Sequence, residues 1–264
     1  MTTSADRFRS LHTEGTFVMP NPYDIGSARL LAALGFPALA STSSGFAATL
    51  GRLDMMVTRE ELIVHVGSLA TATGLPLNVD SERCYADDLP GVTETVELLA
   101  DAGAAGCSIE DWNPATKSID PIGIAAERVG AAAAGAAKTG LVLTGRCENH
   151  LHGINDLDDT IARLRAYVAA GAEVVYAPGL VDLDQIAALV RAVGVPVNVL
   201  ILPGGPGVSQ LGGAGARRIS TGGLLSRISH GAMVAAAERL RDDGVINTNE
   251  PFLSGKLTAE ALHD

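Results

Sequence analysis

Short apolar runs alternate with longer amphipathic segments along most of the chain. Runs that are apolar at nearly every position are typical of buried parallel strands, and segments with an apolar residue every three or four positions are typical of helices that cover a sheet. The predicted strands cover residues 16–19, 37–41, 75–80, 105–110, 141–146, 173–177, 196–201 and 217–221. The predicted helices cover residues 25–34, 58–73, 92–102, 122–139, 156–170, 183–193 and 223–242, with only a short turn at 208–211.

These segments form eight consecutive strand-then-helix units. Eight such units close into an α/β (β/α)8 TIM barrel, for which a chain of 264 residues has a typical length. We therefore expect a single domain over residues 1–264, with a C-terminal helical tail from about residue 223 that ends in a short helix at 258–263. An open doubly wound sheet is the alternative, but no G-x-G-x-x-G follows the first strand and no P-loop sequence occurs.

Composition limits the kinds of binding partner and the cellular compartment that we expect. The formal net charge of −11 and the lack of a basic run argue against binding to nucleic acid or to an anionic membrane surface. No apolar stretch is long enough to span a bilayer, and the first residues lack the apolar core of a signal peptide, so we expect a soluble cytoplasmic protein. Cys84, Cys107 and Cys147 match neither a disulfide framework nor a zinc motif.

The third predicted strand leads into two acids, Asp80 and Glu82, that are two residues apart. Side chains at i and i+2 on a strand point the same way, so both carboxylates should meet just past the end of the strand. Two like charges in one place are unfavourable unless a cation or a proton lies between them. An all-oxygen site suits Mg²⁺, with Mn²⁺ as the alternative, although for a D-x-E pair alone two solvated loop acids would be the better interpretation.

Other strand ends are polar as well, and in such a barrel they all meet at the rim that holds the active site. Polar residues at these ends are Asp54, Glu110, Asp111, Arg146, Glu148, Tyr176, Asn198 and the hydroxyl-rich segment 41–46. Several acids beside one arginine fit a divalent metal held mainly through carboxylates and water, with Arg146 facing an anionic substrate. The alternative is that Glu110, Asp111 and Glu148 simply cap the helices that follow.

Two other catalytic classes fit the sequence poorly. The only lysines, Lys117, Lys138 and Lys256, do not end a predicted strand, so no lysine is placed to form a Schiff base. No G-x-S-x-G sequence occurs, which argues against a serine hydrolase of that type. His150 and His152 form an H-x-H pair after the fifth strand, for which a solvated loop is favoured over a metal site.

Five short segments, in this order, resemble the isocitrate lyase / phosphoenolpyruvate mutase superfamily. They are Ser43-Ser44-Gly45-Phe46, Gly51-Arg52-Leu53-Asp54, Val79-Asp80-Ser81-Glu82, Ser108-Ile109-Glu110-Asp111 and Gly145-Arg146-Cys147-Glu148. The match runs from about Phe17 to Gly223. The resemblance implies a (β/α)8 barrel that is a homodimer or homotetramer, with the last helix exchanged between subunits. It also implies Mg²⁺ and a small-molecule 2-oxo or 2-hydroxy acid as substrate.

The resemblance further implies a set of metal-binding residues. Asp80 would contact the metal, and Glu82, Asp54 and Glu110 would hold it through water molecules. Glu82 is commonly an aspartate in this family, so the longer side chain here should shift the metal slightly. Together with Arg146, Glu110 and Asp54 are the expected catalytic residues.

The same resemblance implies how a substrate would be held. Ser44, Gly45 and Phe46 would bind the substrate carboxylate or oxo group through a side chain and backbone N–H groups. Arg146 would bind the carboxylate, and Glu148 would lie behind it. These roles complete the set of residues expected at the site.

Two departures from the family bear on the reaction. The lyase branch carries a catalytic cysteine on the loop after the fourth strand, whereas residues 112–118 hold none, and whether this loop closes as a lid is open. The mutase branch has an asparagine late in this loop and a histidine after the sixth strand, where this chain has Ser118 and Pro178, although Asn113 is an alternative for the asparagine.

We therefore expect a Mg²⁺-dependent carbon–carbon lyase or decarboxylase acting on a small 2-oxo or 2-hydroxy dicarboxylic acid. Chelation of such an acid by a metal stabilises the enolate that forms when a bond to C3 breaks. One alternative is a carbon–phosphorus enzyme, a phosphonopyruvate hydrolase or a phosphoenolpyruvate mutase. The other is a non-catalytic paralogue that binds an oxo acid.

Overall fold

The computed structural model describes residues 2–246 and 252–262 of the chain. Eight parallel strands form an inner wall, and a two-stranded antiparallel hairpin lies beside it. In chain order the strands are β1 (Phe17–Met19), β2 (Leu39–Ala40), β3 (Leu77–Asp80), β4 (Gly106–Glu110), β5 (Trp112–Asn113), β6 (Ser118–Ile119), β7 (Val142–Arg146), β8 (Val174–Tyr176), β9 (Val197–Leu200) and β10 (Arg218–Ser220). The hairpin is β5 with β6, so the eight remaining strands match the eight predicted ones.

The wall is a nearly closed barrel, which confirms the predicted (β/α)8 fold. Successive barrel strands pair in parallel from β2 round to β10, and β10 then pairs with β1. At the remaining seam the Ala40 N–H donates to the Pro20 carbonyl over 3.0 Å. Asn21 closes the seam at the rim, because its amide donates to the Ser41 carbonyl over 2.7 Å and accepts from the Thr221 N–H over 2.9 Å.

Helices surround the barrel, and those predicted from the sequence lie where they were expected. They are α1 (Ser4–Ser10), α2 (Ile25–Ala33), α3 (Ser43–Thr49), α4 (Arg59–Thr73), α5 (Leu89–Asp101), α6 (Ile122–Thr139), α7 (Leu157–Ala169), α8 (Leu183–Val193), α9 (Val208–Gly213), α10 (Leu224–Asp243) and α11 (Gly255–Ala261), with a 3-10 turn at Asn149–His152. Side chains of Thr58 and Asp156 cap α4 and α7, which explains where these helices begin. Among the helices of the described residues, none is long and apolar enough to cross a membrane.

Three local elements differ from the prediction. The hydroxyl-rich segment after β2 forms α3, because the Thr42 hydroxyl accepts from the Gly45 N–H and starts a helix that its serines would not favour alone. The segment expected to be a loop at 112–118 contains the β5–β6 hairpin, and α1 was not predicted. The tail helix α11 begins earlier than expected, and of the predicted tail, residues 247–251 and 263–264 lie outside the described residues.

Two apolar cores hold the fold together. The larger one lies between the strands and the surrounding helices. The smaller one fills the lower half of the barrel, where Phe8 from α1 packs with Phe17, Met19 and Val142. The ring of Phe8 meets those of His12 and Phe17 edge to face, with centroids 4.9 Å and 6.4 Å apart. Because the bottom of the barrel is plugged in this way, the opposite rim is the open end.

Phe8→Ala should lower the free energy of unfolding by about 3–5 kcal/mol, because it empties a fully buried position in the barrel plug. Ser10→Ala, on the exposed side of the same helix, is the control and should change it by less than about 0.5 kcal/mol. Urea unfolding followed by circular dichroism measures both. Equal effects of the two substitutions would mean that α1 does not plug the barrel.

Candidate active site

The open rim of the barrel contains a cavity of about 180 Å³. It lies at the C-terminal ends of the strands, where enzymes of this architecture bind their substrates. Polar residues on its walls are Asn21, Ser41, Thr42, Ser43, Ser44, Asp54, Asn78, Asp80, Ser108, Arg146, Tyr176, Asn198, Arg218 and Ser220. The cavity therefore suits a small polar ligand.

Arg146 joins three carboxylates at this rim. Its guanidinium lies 3.1 Å from Asp80 and 3.4 Å from Glu110, and its Nε donates to Glu148. The guanidinium also lies over the ring of Tyr176, 5.4 Å from the centroid. These acids raise the pKa of Arg146 well above its usual range, although burial opposes the shift. Arg146 is therefore a permanent positive charge among acids from β3, from β4 and from the turn after its own strand.

Asp80 is fixed from two sides. Its Oδ2 accepts from the Ser43 N–H over 3.1 Å, and its Oδ1 accepts from Arg146. Its own backbone N–H donates to the Ser41 hydroxyl over 2.9 Å. The carboxylate at the end of β3 is thus held at the cavity wall by the strand end before it and by the arginine of β7.

Glu82 lies close to Asp80 but not on the wall of the rim cavity; its side chain lines a neighbouring pocket together with Met55, Tyr85 and Asn113. The strand β3 ends at Asp80, and Glu82 has a left-handed backbone with φ of 49°, so strand periodicity does not place its side chain. Burial and the nearby charge of Asp80 raise the pKa of Glu82 to about 8, although a hydrogen bond from Tyr85 opposes this. Its Oε1 is buried and has no hydrogen-bond partner among the described residues.

Glu110 and Asp54 complete the acidic rim. Glu110 is buried at the end of β4, and burial raises its pKa well above the usual range although Arg146 lowers it. Asp54 lies on the exposed loop after α3, with its carboxyl group on the cavity wall. Desolvation at the wall and the charge of Asp80 raise the pKa of Asp54, against a hydrogen bond from Ser43. Each of these acids therefore raises the free energy of ionising its neighbours.

The side chains of this rim are chemically suited to bind a cation. Within residues 2–246 and 252–262, no three His, Cys, Asp or Glu side chains converge closely enough to hold a metal ion by themselves. A cation bound directly by one carboxylate and through water by the others does not need such convergence. The unpartnered oxygen of Glu82 and the mutual repulsion of the four acids are what a divalent cation would relieve.

The predicted substrate-binding segment is only partly at the cavity. Ser44 lines the cavity wall. The N–H groups of Gly45 and Phe46 donate instead to the hydroxyl and the carbonyl of Thr42, and the Phe46 ring stacks on His65 with centroids 3.7 Å apart. A Cβ on Gly45 would lie 2.5 Å from the Thr42 side chain, so this position requires glycine for packing.

The acids that follow β4 and β7 do not cap helices. Asp111 accepts from the Glu148 N–H over 2.8 Å and from the Tyr167 hydroxyl over 2.6 Å. The Glu148 side chain, buried behind the rim, accepts from Arg146 and makes no capping hydrogen bond to the 3-10 turn that follows it. The helix α6 after Glu110 has no side-chain cap. These contacts exclude the capping alternative and show Asp111 bracing the strand end that carries Arg146.

The segment after β4 is ordered by its own contacts. The hairpin of β5 and β6 places the Trp112 ring on that of His152, with centroids 3.6 Å apart. The Asn113 amide donates to Asp120 over 3.1 Å. His150 contacts the Thr160 hydroxyl, so the H-x-H pair does not converge as a metal site. Cys84 is fully buried, and burial raises the pKa of its thiol to about 11.

The cavity wall includes residues that were not singled out from the sequence, among them Asn21, Asn78 and Arg218. Asn21 lies two residues after the end of β1, between Pro20 and Pro22, and looks like part of a turn. Arg218 lies inside a predicted strand, where a charged residue would normally be assigned to the solvent side. The period-two relation of Arg218 to Ser220, which ends the same strand, is the signal that could have placed Arg218 inside the barrel.

Comparison with known proteins points to one family. The model of the family described as phosphoenolpyruvate phosphomutase matches residues 8–241. An oxaloacetate decarboxylase of Bradyrhizobium sp. (strain ORS 278) is 30% identical over 247 residues, 90% of this chain and 82% of the relative. A crystal structure from Burkholderia cenocepacia J2315, described only as a lyase/mutase, is 45% identical over 96% of this chain and 94% of that chain, with a TM-score of 0.91. Oxaloacetate acetylhydrolase with its product oxalate is 26% identical, covers 98% and 94%, and has a TM-score of 0.87.

Without added metal, Glu82 should contribute a loss of stability as pH rises from about 4.5 to about 8. The folded state keeps a proton on Glu82 in this window and the unfolded state does not, so unfolding is increasingly favoured as pH rises. Glu82→Gln should remove this contribution, which amounts to at most about 1.4 kcal/mol per pH unit. Melting temperatures in EDTA across this range measure it. Glu127→Gln, an exposed glutamate on α6, is the control, and equal slopes for both variants would contradict the assignment.

Proposed function

The chain belongs to the phosphoenolpyruvate phosphomutase family, within the isocitrate lyase / phosphoenolpyruvate mutase superfamily of lyases and mutases, and from this premise we propose that it is a Mg²⁺-dependent carbon–carbon lyase or decarboxylase. Its substrate is a small 2-oxo or 2-hydroxy dicarboxylic acid. The observation that carries the proposal is the rim where Arg146 lies among Asp80, Glu110 and Glu148 beside a small polar cavity. Relatives named for oxaloacetate chemistry support the choice of substrate class.

The metal belongs to this proposal. Asp80 would hold Mg²⁺ directly, and Glu82, Asp54 and Glu110 would hold it through water, with Mn²⁺ as an alternative ion. When bound, the cation would supply Lewis-acid polarisation of the oxo or hydroxy group. A bound cation would favour the ionised forms of these acids, against the burial and the neighbouring negative charges that raise the pKa of Glu82 and Glu110.

Arg146 and Ser44 are the groups placed to bind the substrate. Arg146 is bound to carboxylates on three sides, and it would have more donor groups free for a substrate if Asp80 and Glu110 held a cation. Ser44 presents its hydroxyl at the wall, 3.3 Å from that of Thr42. The sequence predicts that the N–H groups of Gly45 and Phe46 bind the substrate. To do so, they would have to break their hydrogen bonds to Thr42. These residues orient an anionic carboxylate, while Glu148 fixes the Arg146 side chain from behind.

A carbon–phosphorus enzyme is the second candidate, favoured by the family model itself, which is described as a phosphomutase. Both reactions would use the same rim, because each needs an oxo acid held beside a cation while a bond to C3 breaks. They differ in the product that leaves. A phosphonate substrate would release phosphate or return it, whereas a dicarboxylate would release a second carbon compound.

We also infer a homo-oligomer, a dimer or a tetramer, in which α10 is exchanged between subunits. Of the twenty residues of α10, only Ser226 is buried within this chain. Several large apolar side chains of α10 are exposed on different sides of the helix, which is typical of a helix that packs against another chain along much of its surface. They are Ile228, Met233, Val234 and Leu240. A cytoplasmic location stays a prediction from the sequence.

The function is tested with a panel of acids in Mg²⁺: oxaloacetate, phosphonopyruvate, isocitrate, 2-methylisocitrate and alkyl-substituted malates. We expect an oxo-acid product without free phosphate from at least one dicarboxylate, and EDTA should abolish the reaction. Asp80→Asn should lower kcat/KM more than about 100-fold, because it removes the carboxylate that would bind the cation. Product formation and phosphate release are followed in parallel.

Asp101→Asn, an exposed acid at the end of α5, is the matched control and should keep full activity. Phosphate release from phosphonopyruvate would move the protein to the carbon–phosphorus class. Activity that survives Asp80→Asn would contradict the metal assignment. No turnover, together with a rise in melting temperature on adding oxalate, would indicate a non-catalytic oxo-acid binder.

The oligomer is tested by light scattering. The wild-type mass should be two or four times 27.0 kDa. Ile228→Glu combined with Met233→Glu should shift it toward the single-chain mass, because charges replace apolar groups at the proposed interface. Ala134→Glu, which adds a charge to the exposed side of α6, should leave the mass unchanged. A wild-type mass of 27.0 kDa would refute the inference.

A further inference from the structure

A second arginine, Arg218, lines the cavity below the rim. It starts β10 and is in register with Asn198, which is in register with Tyr176, which in turn is in register with Arg146. Strands of such a barrel tilt by roughly 36° to its axis, so a row of residues in register descends from the rim toward the barrel interior. Arg146 and Arg218 are therefore the upper and lower ends of one continuous wall.

All hydrogen-bond partners of Arg218 are neutral. Its Nε donates to the Asn198 side-chain carbonyl over 3.0 Å, and a terminal N–H donates to the Thr144 hydroxyl over 3.0 Å. The third contact is the ring nitrogen of His12 at 3.4 Å. His12 is itself uncharged at neutral pH, because burial and the charge of Arg218 lower its pKa to about 3. Within the described ranges, no carboxylate forms an ion pair with Arg218.

Arg218 nevertheless stays charged. Its side chain is only 1% exposed, and burial lowers its pKa to about 9, still above neutrality. A guanidinium has five N–H donors, and the three contacts above leave two of them without a protein partner. A buried cation without a counter-anion is strongly unfavourable, and arginines this buried are usually paired.

The two arginines of the cavity thus differ in their contacts with carboxylates. Arg146 contacts three carboxylates, whereas Arg218 contacts none among the described residues. The ring of Phe8 lies below Arg218, 5.8 Å from the guanidinium carbon, and closes the interior on that side. An anion that satisfies Arg218 must therefore enter from the rim, through the cavity.

We propose that Arg218 binds the second acidic group of the substrate, the one remote from the oxo or hydroxy carbon, and so makes the cavity selective for dicarboxylic over monocarboxylic acids. Asn198 orients this arginine through its Nε, and Ser220 holds Asn198 by accepting from its amide over 2.9 Å. The assignment rests on the proposed function for the position of the first carboxylate at Arg146. Hydrogen bonds between a guanidinium and a carboxylate are among the stronger ones in proteins, which makes this discrimination measurable.

The test compares two ligands on the Mg²⁺-loaded protein by calorimetry. Malate and 2-hydroxybutyrate differ only in that a methyl group replaces the distal carboxylate. We expect the wild type to bind malate at least tenfold more tightly. Arg218→Met should remove that advantage while the affinity for 2-hydroxybutyrate changes less than twofold, and Arg218→Lys should retain part of it.

A second variant separates binding from folding. Asn198→Asp places a carboxylate at the atom that already contacts the Arg218 Nε, so it neutralises the arginine without changing side-chain size. It should keep or raise the melting temperature and still abolish the preference for malate. A preference for malate that survives Asn198→Asp, or a wild type that binds both ligands equally, would overturn the proposal. So would an equal loss of both ligands in Arg218→Met.

Oxalate distinguishes this proposal from the function on which it rests, because it can chelate a cation but has no distal group. Oxalate that binds wild type and Arg218→Met equally, with no preference of the wild type for malate, would refute the role of Arg218 alone. A wild type that binds neither oxalate nor malate in Mg²⁺ would refute both.

Discussion

The repulsion among acids that meet at one barrel rim is the constraint on which the site depends. Parallel strands end together, so the carboxylates of β3 and β4 and the turn after β7 come close whether or not their charges favour it. Arg146 offsets part of that repulsion through Asp80, Glu110 and Glu148. Burial and the charge of Asp80 still raise the pKa of Glu82. Arg146 therefore holds the rim acids in place but does not neutralise all of them, so an additional positive charge would stabilise the rim.

Polar anchors behind the rim keep that geometry in place. The loop after β3 has left-handed backbone at Glu82, Cys84 and Tyr85, which non-glycine residues adopt only when their surroundings impose it. Arg128 on α6 imposes it, because its guanidinium donates to three carbonyl groups of residues 83–87. Asp111 similarly ties the start of the turn after β7 to Tyr167 on α7. Outer helices thus act on the site through buried hydrogen bonds as well as through apolar packing.

The interior of the barrel has two levels, of which the lower is apolar and the upper is polar. Below, α1 seals the barrel with Phe8, and apolar side chains fill the space. Above, a buried polar layer lines the cavity, with Arg218 among neutral partners. Charge at the rim is thus predominantly negative, while the uncompensated charge deeper in the wall is positive. A ligand that spans the two levels would carry an acidic group at its inner end, away from the carboxylates of the rim.

The sequence by itself determined the order of strands and helices and the acids at the strand ends, because apolar periodicity and helix caps such as Thr58 act locally. It also placed Asp80 and Arg146 at one rim, since parallel strands must end together. Only the tertiary structure decided where the Glu82 side chain lies, beside the rim cavity and not on its wall, because a left-handed turn replaces strand geometry there. It alone turned the Phe46 ring toward His65 and placed Arg218 inside the barrel. The positions of the Phe46 ring and of Glu82 depend on contacts between residues far apart in the chain, which no local pattern encodes, whereas for Arg218 the spacing from Ser220 was a local signal.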